Sequence, residues 1–289
     1  MNPAAGRGRS AKLLPRLREV FAAPDLDVEL VLSPSPDAPA RIAREAFGAG
    51  RGVVACGGDG LVAEVAGVAA ETQGLLAVVP LGAGNDFART LGIDQRRPLE
   101  AVELLRDGKE LLVDLGRANG RWFTSVANTG FDAEANRWAN GITRISGTTL
   151  YVVAVVRTLA VYHPQRFRLT LDDGEPRDIQ AWLLAFANGT SYAGGMRIAP
   201  RARLDDGALD ITLVGPVSRP EFLRTFPRVF RGTHITHPAV TCLRSTTITV
   251  ESLELDSAME IYASGERVGP LPARLEAVPA ALRVLAPAA

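Results

Sequence analysis

Two hydrophobic periods alternate along the first 115 residues. Short apolar runs of β-strand length occupy residues 52–56 and 74–80. Between and after them, residues 61–70 and 97–107 have apolar positions that recur every three or four residues, which is the period of an amphipathic helix. Residues 26–33 alternate apolar and polar side chains, which predicts a further strand. Strands and helices in turn predict an α/β domain whose open, mostly parallel sheet is covered by helices.

The pattern changes after about residue 116, where alternating runs become longer and are arranged as hairpins. Residues 166–188 hold two such runs on either side of an Asp-Asp-Gly-Glu turn. Helical patterns are limited to stretches near 148–161 and 219–232. Residues 116–279 are therefore predicted to form a β-rich domain of packed antiparallel strands.

Composition narrows the functional classes. Of the 289 residues, 47% are hydrophobic and 22% are charged, as expected for a soluble globular chain with a full core. Acidic and basic residues balance at 32 each, which argues against nucleic acid as the main partner. The two cysteines form no CxxC pair and the three histidines match no zinc pattern, so a reduced cytoplasmic protein is expected.

If the protein contacts a membrane, we expect it to bind at the membrane surface. No secretory signal opens the sequence, and the apolar stretch 151–162 is interrupted by Arg157. That stretch is also shorter than the ~20 residues that span a bilayer.

Three glycine-rich turns divide the first domain, at residues 2–8, 56–60 and 80–86. Each follows a strand or the place where a strand is expected, and each precedes a helix. At such strand ends glycine lets backbone N–H groups approach phosphate oxygens, and ligands bind in the shared crevice. No strand precedes residues 2–8, so either the natural start lies upstream or the first strand is missing here. The turns match neither a Walker A motif nor a complete GxGxxG motif.

Asp59 is a carboxylate at a predicted phosphate site. A carboxylate repels phosphate unless a cation lies between them, so Asp59 is expected to serve Mg²⁺ directly or through water. An Asx turn or a helix N-cap explains Asp59 equally well, and Asn85 and Asp86 could likewise cap a helix.

Several motifs together resemble the diacylglycerol kinase catalytic-domain family, which includes soluble bacterial lipid kinases and is related to sphingosine and ceramide kinases. They are NPAAGRG (2–8), GGDG with Glu64, PLGAGNDFAR (80–89), GFDAEA (130–135) and the long segment 192–214. The resemblance covers nearly the whole chain. It implies a nucleotide domain over residues 1–115, to which the last strand, about 280–289, returns. It also implies a β-sandwich lipid domain over 116–279, with ATP and Mg²⁺ between the two.

Matching motifs imply the roles of individual residues. Glu266 of the ASGE segment would be the catalytic base that takes the proton of the acceptor hydroxyl. The residues implied to hold the nucleotide are Asn2, Pro3, Gly6, Ser33, Gly57, Gly58, Asp59, Gly60, Leu61, Glu64, Gly82, Ala83, Gly84, Asn85 and Asp86. The residues implied for Mg²⁺ are Asp59, Asp114, the Asp206 carboxylate and the carbonyls of Arg203 and Ala208. A tight Asp-Gly turn is the plainer explanation of Asp206.

Three positions depart from the family pattern. Leu61 and Ala83 replace threonines, and Ser264 replaces an aspartate beside the base. A hydrogen bond to a charged group contributes roughly 1.5–3 kcal/mol, so the two lost hydroxyls could weaken nucleotide binding by one to four decades. A weakened or non-catalytic lipid- or nucleotide-binding regulator is therefore the alternative to an active kinase. An NAD kinase, which shares GGDG, is a third hypothesis that the NDFAR segment disfavours.

Residues 219–234 are a candidate membrane contact. Phe222, Phe226 and Phe230 recur every four residues, and arginines occupy a neighbouring face. This pattern suits an interfacial helix, and equally a helix that packs its phenylalanines on the sandwich. The expected function is phosphoryl transfer from ATP to a lipid hydroxyl, with diacylglycerol favoured. The expected partner is the lipid at the inner membrane face, and a homodimer stays open.

Overall fold

The computed structural model describes residues 1–3, 5–33, 35, 38–140, 154, 157–254 and 259–288, with the backbone alone for residues 7 and 136–140. These residues form two sheets and three hydrophobic cores. The predicted fold class, an α/β domain followed by a β-sandwich, is confirmed.

The α/β part contains most of the helices. One core lies between its strands and helices. Among the described residues, the helices are supplemented by four 3₁₀ segments: Ala5–Gly8, Glu100–Glu103, Phe226–Arg231 and Thr233–Thr236. The helices are α1 (Arg9–Phe21), α2 (Ala38–Gly48), α3 (Asp59–Thr72), α4 (Asp86–Thr90), α5 (Leu104–Asp107), α6 (Phe131–Asn140) and α7 (Arg219–Thr225).

The strands form one sheet of eight and one of six. The larger sheet follows the order β1-β2-β14-β11-β6-β7, with β3 and β4 attached beside β14, and the smaller follows β10-β9-β8-β5-β12-β13. The strands are β1 (Val53–Gly57), β2 (Leu75–Pro80), β3 (Lys109–Ala118), β4 (Arg121–Phe123), β5 (Val126–Gly130), β6 (Gln165–Leu171), β7 (Arg177–Ala181), β8 (Leu183–Ala187), β9 (Leu209–Val214), β10 (Val240–Ser245), β11 (Thr247–Ser252), β12 (Glu260–Ala263), β13 (Glu266–Pro270) and β14 (Ala273–Ala286).

Parallel pairing is confined, among the described strands, to the α/β end of the larger sheet. β1 runs parallel to β2 from the Val53–Leu76 pair to the Gly57–Pro80 pair. The end of β14 adds to β2 in parallel through Arg283 and Val284. All other strand pairs are antiparallel, and the α/β and sandwich parts therefore share one continuous mixed sheet.

The strand expected over residues 26–33 is wrong. The segment pairs with no described strand. Two backbone hydrogen bonds of 2.8 Å link it to Met1, one from the Met1 amino group to the Val31 carbonyl and one from Ser33 N–H to the Met1 carbonyl. A groove of about 890 Å³ lies between residues 28–32 and β1. Alternation fixes only which side chains share a face, whereas a strand also requires a neighbouring backbone to pair with.

Strand β8, inside the smaller sheet, is buried on both faces, which explains its apolar sequence. Along β8, Leu184 and Phe186 point into the core between the two sheets. Leu183 and Ala185 point into the core beneath α6 and α7. A strand with period-two geometry and two buried faces is apolar at every position, as β8 is.

Two expected helices have different outcomes. Residues 157–161 of the expected helix 148–161 are helical, while residues 148–153, 155 and 156 lie outside the described residues. The second, near 219–232, is shorter than expected: α7 ends at Thr225 and a 3₁₀ segment follows. Within the part of the chain that the structure describes, no helix has the length and apolar character to cross a bilayer.

Candidate functional site

The three glycine-rich turns meet at one place. A Cβ atom built on Gly82 would lie 2.4 Å from the Gly58 Cα atom, so the second and third turns are in backbone contact. A Cβ atom on Gly6 would lie 2.3 Å from the Leu81 carbonyl oxygen, and Gly6 has a φ of +58°. Only glycine allows these approaches.

Hydrogen bonds close the third turn and fix it to β1. The Gly57 carbonyl accepts from the N–H groups of Leu81 (2.8 Å) and Gly82 (3.1 Å). Asn85, with a φ of 54°, accepts from Gly82 N–H at 2.8 Å and donates from its amide to the Gly82 carbonyl at 2.9 Å. The turn is therefore held in one shape without help from a ligand.

Asp59 joins the second and third turns through its carboxylate. It accepts from the N–H groups of Asn85 (2.7 Å), Asp86 (2.6 Å) and Phe87 (3.4 Å), the first amides of α4. Burial, and next the charge of Asp86, raise the pKa of Asp59 to about 6. Asp59 thus caps a helix, α4, that begins 27 residues after it in the sequence.

Asp86 joins the α/β part to the sandwich. Its two carboxylate oxygens each accept at 2.9 Å, one from Gly194 N–H and one from Gly195 N–H. Both glycines have positive φ, 84° and 105°, a conformation that L side chains rarely adopt. Sequence reasoning missed this contact, although the paired glycines of the YAGGM segment were a visible signal.

The two carboxylates of Asp59 and Asp86 face the same point beside Gly84. A Cβ atom built there would lie 2.6 Å from Asp59 Oδ2 and 3.0 Å from Asp86 Oδ2. Two close carboxylates with lone pairs to spare are a donor set that suits a hard cation such as Mg²⁺. The pair on this side of the turns therefore fits the metal that the resemblance implies.

Glu266 faces the same turns from the sandwich. Its Oε1 atom lies 3.3 Å from where a Cβ atom of Gly60 would be. Glu266 is the first residue of β13, after a two-residue hairpin turn in which Ser264 and Gly265 have φ of 49° and 84°. This turn type needs positive φ at both positions. The exposed carboxylate of Glu266 is thus carried to the glycine turns by a hairpin.

The second candidate metal region lies elsewhere, around Asp114. Its carboxylate oxygens accept from Gly207 N–H at 2.7 Å and from Ala280 N–H at 2.8 Å. Asp114 therefore ties β3 to the 203–208 loop and to the irregular middle of β14. Asp59 lies apart from Asp114, because the carboxylate of Asp59 accepts its hydrogen bonds from residues 85–87 at the start of α4.

Asp206 is paired with a guanidinium. Arg244 contacts one of its carboxylate oxygens and also approaches Asp210 at 3.8 Å, while the other Asp206 oxygen accepts from Ala208 N–H at 3.3 Å. With Arg244 in this position the loop does not fit a metal ion, because a cation already neutralises the carboxylates. Among the described residues no group of three or more His, Cys, Asp or Glu is arranged to hold a metal.

The chain matches two family models that together cover most of its length. Residues 1–118 match the diacylglycerol kinase catalytic domain, and residues 125–286 match the YegS C-terminal NAD kinase beta sandwich-like domain. A diacylglycerol kinase of Mycobacterium tuberculosis is 37% identical over 292 residues, which cover 99% of this chain and 93% of the relative. The chain belongs to the diacylglycerol kinase and YegS-like lipid kinase family.

A more distant relative has a name from the same family, and a solved structure has the same fold. A Pseudomonas aeruginosa protein named "Probable lipid kinase YegS-like" is 31% identical over 86% of this chain and 81% of its own length. A solved diacylglycerol kinase of Bacillus anthracis covers 99% of this chain and 94% of its own, with a TM-score of 0.70. Its sequence identity is 22%, so this likeness shows the fold alone.

The two turn positions at which the resemblance implies threonine, Leu61 and Ala83, lie differently. Leu61 packs its side chain over Gly57, whose added Cβ atom would lie 3.2 Å away, and against the α/β core. It therefore extends the core. Ala83 is exposed at the third turn. Nothing in its surroundings compensates for a missing hydroxyl.

The remaining candidates are spread along the rim of the turns. Asn2 donates its N–H to the Cys56 carbonyl at 3.2 Å, and Pro3 follows it in the first turn. The Ser33 hydroxyl donates to the Ser35 carbonyl at 2.8 Å. Glu64 accepts from Ala40 N–H at 3.2 Å, near the start of α2. The structure brings Asn2 beside β1, gives Ser33 a local contact and joins Glu64 of α3 to the start of α2.

A further carboxylate, Asp132, lines an apolar cavity beneath α7. It is 1% exposed, and burial raises its pKa to about 6. Tyr192 donates its hydroxyl to one oxygen, and the other oxygen has no partner among the described residues. Tyr192 begins the turn that presents Gly194 and Gly195 to Asp86. No spacing in the sequence indicates that Asp132 and Tyr192 meet.

Proposed function

We propose that this protein transfers the γ-phosphoryl group of ATP to a lipid hydroxyl, with diacylglycerol as the favoured acceptor. The observation that carries the proposal is the meeting of three glycine turns with the Glu266 carboxylate, 3.3 Å from the Cβ position of Gly60. Membership of the lipid kinase family supports the acceptor class.

The turns form the phosphate side of the proposed site. Glycine lets backbone N–H groups approach phosphate oxygens closely, and the contact between Gly58 and Gly82 keeps two turns at a fixed spacing. Asp59 and Asp86 are the residues that would hold Mg²⁺. When bound, the ion would offset negative charge on the phosphates. Such reactions depend mainly on positioning and electrostatics, which a preformed cradle supplies.

Glu266 forms the acceptor side. In the proposed step the lipid hydroxyl oxygen bonds to the γ-phosphorus as the bond to the leaving β-phosphate oxygen breaks. The hydroxyl proton passes to the Glu266 carboxylate, which acts as general base. Glu266 is exposed towards the cleft, so an acceptor hydroxyl can reach it. No residue needs to form a covalent intermediate in this scheme.

An apolar cavity in the sandwich suits the hydrocarbon part of the acceptor. It measures about 60 Å³ and is lined largely by apolar side chains beneath α7. Asp132 and Tyr192 line the cavity, and the Tyr192 hydroxyl donates to Asp132. Tyr192 also begins the turn that binds Asp86. The cavity is too small for a whole acyl chain, so an entering chain would have to widen it. We propose it as the entry point of the lipid tail.

The test is transfer of labelled phosphate from ATP to diacylglycerol in mixed micelles. Glu266→Gln should lower kcat by at least roughly 100-fold, the usual contribution of a general base, and Glu266→Asp should retain part of the activity. Glu175→Gln is the matched control, since Glu175 is an exposed glutamate in the β6–β7 turn. Wild-type activity that survives Glu266→Gln would refute the assigned base.

Two other outcomes separate the alternative functions. Nucleotide and lipid binding without any labelled product would support the non-catalytic regulator, which the core-packed Leu61 favours. Labelled NADP from NAD, with no labelled lipid, would support the NAD kinase hypothesis. Each result excludes lipid phosphorylation as the activity of this chain.

A further inference from the structure

The segment from α7 to Arg231 has apolar side chains on an inward face and on a second, exposed face. Phe222 and Val229 are 6% and 5% exposed and pack into the core under α7, with Phe226 half-buried between them. Leu223 and Phe230 lie on the outside and are 46% and 49% exposed. The inward face explains why the segment folds onto the sandwich, but it leaves the outward face unexplained.

The outward face is a continuous stripe by its spacing. Leu223, Pro227 and Phe230 follow each other at intervals of four and three residues, and all three are exposed. Residues at these intervals share one side of a helical segment. We call these three residues the outer stripe. Isolated exposed apolar residues need no explanation, but a stripe on one face indicates a contact surface.

Arginines border the outer stripe. Arg224, Arg228 and Arg231 each follow a stripe residue by one position, and all are exposed. No ion pair with these three arginines occurs among the described residues. Residues 219–231 contain four arginines and one glutamate, in a chain whose formal net charge is +0. The glutamate, Glu221, is itself 3.3 Å from His237. The local excess of positive charge is therefore unneutralised.

A neighbouring segment extends this surface. Arg219 donates to the Leu159 carbonyl at 2.8 Å and to the Tyr162 carbonyl at 3.3 Å, which fixes residues 157–162 beside the start of α7. In that segment Val161 is 65% exposed, the highest value among the exposed large apolar residues of the described chain. Apolar exposure therefore continues from α7 onto the adjoining helical turn.

The same segment lines the apolar cavity from outside. Phe222, Thr225, Phe226 and Val229 form part of the cavity wall. The outer stripe lies on the other side of that wall. A lipid that leaves a bilayer in contact with the stripe would need to pass only one layer of side chains to reach the cavity.

We propose that the outer stripe and its three arginines dock the protein on an anionic lipid bilayer. The inference rests on the proposed function, because a lipid acceptor must be collected from a membrane. Apolar side chains suit the acyl boundary, and unpaired arginines suit anionic headgroups. The shallow stripe, with Glu221 as the single acidic residue of residues 219–231, favours a bilayer over a folded protein partner, whose contacts would bury a larger patch.

The experiment is sedimentation with vesicles of phosphatidylcholine containing phosphatidylglycerol, or of phosphatidylcholine alone. Arg224→Gln, Arg228→Gln and Arg231→Gln combined should weaken binding to anionic vesicles on the order of 100-fold, since each basic residue near the surface contributes roughly fivefold. Leu223→Ser with Phe230→Ser should weaken binding to the same vesicles. Rising salt should weaken wild-type binding. The matched control replaces Arg96, Arg177 and Arg274, three other exposed arginines, with glutamine.

A second measurement separates docking from catalysis. Both docking variants should phosphorylate a short-chain diacylglycerol dissolved as monomers at the wild-type rate, because the substituted residues belong neither to the glycine turns nor to the hairpin that carries Glu266. Unchanged vesicle binding in both variants, or equal loss in the arginine control, would overturn the docking proposal. If wild type binds vesicles and phosphorylates neither form of the lipid, the proposed function fails and the docking surface stands.

Discussion

The contact between Gly58 and Gly82 leads to the sharpest prediction. In Gly82→Ala the new Cβ atom would lie 2.4 Å from Gly58 Cα and 2.8 Å from Asn85 Oδ1. The first of these atoms is backbone, so no change of rotamer relieves the overlap. Ordinary van der Waals contact begins at 3.4 Å, and the two turns must therefore separate by about 1 Å.

This separation would displace the proposed cradle relative to Glu266. A misplacement of about 1 Å lowers the rate of an enzyme by roughly 100-fold, which corresponds to about 2.7 kcal/mol of activation free energy. Overpacking a filled site also lowers the free energy of unfolding, by about 1–3 kcal/mol. A smaller effect is expected for Gly58→Ala, whose Cβ atom would lie 3.1 Å from Gly82 Cα.

The assay is kcat/KM for labelled phosphate transfer to diacylglycerol, with ATP affinity and urea unfolding measured on the same variants. Gly48→Ala is the control, because nothing lies within 4 Å of its new Cβ atom. We expect activity to fall in the order Gly48→Ala, Gly58→Ala, Gly82→Ala. A folded Gly82→Ala protein whose kcat/KM and ATP affinity lie within about threefold of wild type would refute the convergence of the turns as the basis of activity.

Two further predictions concern charged groups. Since burial and the charge of Asp86 raise the pKa of Asp59 to about 6, its carboxylate is lost as the pH falls through that value. Affinity for Mg²⁺ with ATP should therefore fall by roughly tenfold per pH unit below about pH 6 and stay constant above about pH 7. Calorimetry should find weak, pH-independent binding in Asp59→Asn, and parallel profiles for the two proteins would contradict this. Without Mg²⁺, Arg244→Ala should lower the free energy of unfolding by roughly 1–2 kcal/mol, and Tm with it, because Asp206 and Asp210 lose their counter-charge. Millimolar Mg²⁺ should restore its Tm and change wild type little; a variant indifferent to Mg²⁺ would exclude the Asp206 loop as a cation site.

The sequence alone predicted the local elements that depend on local rules. Residues 61–70 and 74–80 carry complete helix and strand periods, and they correspond to α3 and β2. The glycine turns were visible because a tight backbone approach excludes side chains, and glycine is the residue type that permits it. The order of strands and helices likewise predicted the α/β class, since parallel strands require crossover connections.

Long-range pairing was decided only by the tertiary structure. The alternation at 26–33 suggested a strand, but among the described residues it pairs with no strand and bonds across only to the backbone of Met1. β14 instead supplies the neighbour of β2 through Arg283 and Val284. Hydrogen bonding between strands depends on which segments meet in space, and the period of a segment does not contain that information. The motif resemblance anticipated that the chain end returns, whereas the periodicity of residues 280–289 did not.

The candidate site divides in the same way. The sequence supplied Asp59, Asp86 and Glu266 as carboxylates of suitable type, the last through the family resemblance. Only the fold showed that Asp59 caps α4 and that Asp86 binds the paired glycines of the sandwich. Residue types and local turns follow from neighbouring positions along the chain, because sterics and backbone geometry act over a few residues. The partners of a buried carboxylate come from distant segments, because burial makes any unpaired polar group costly and packing selects what satisfies it.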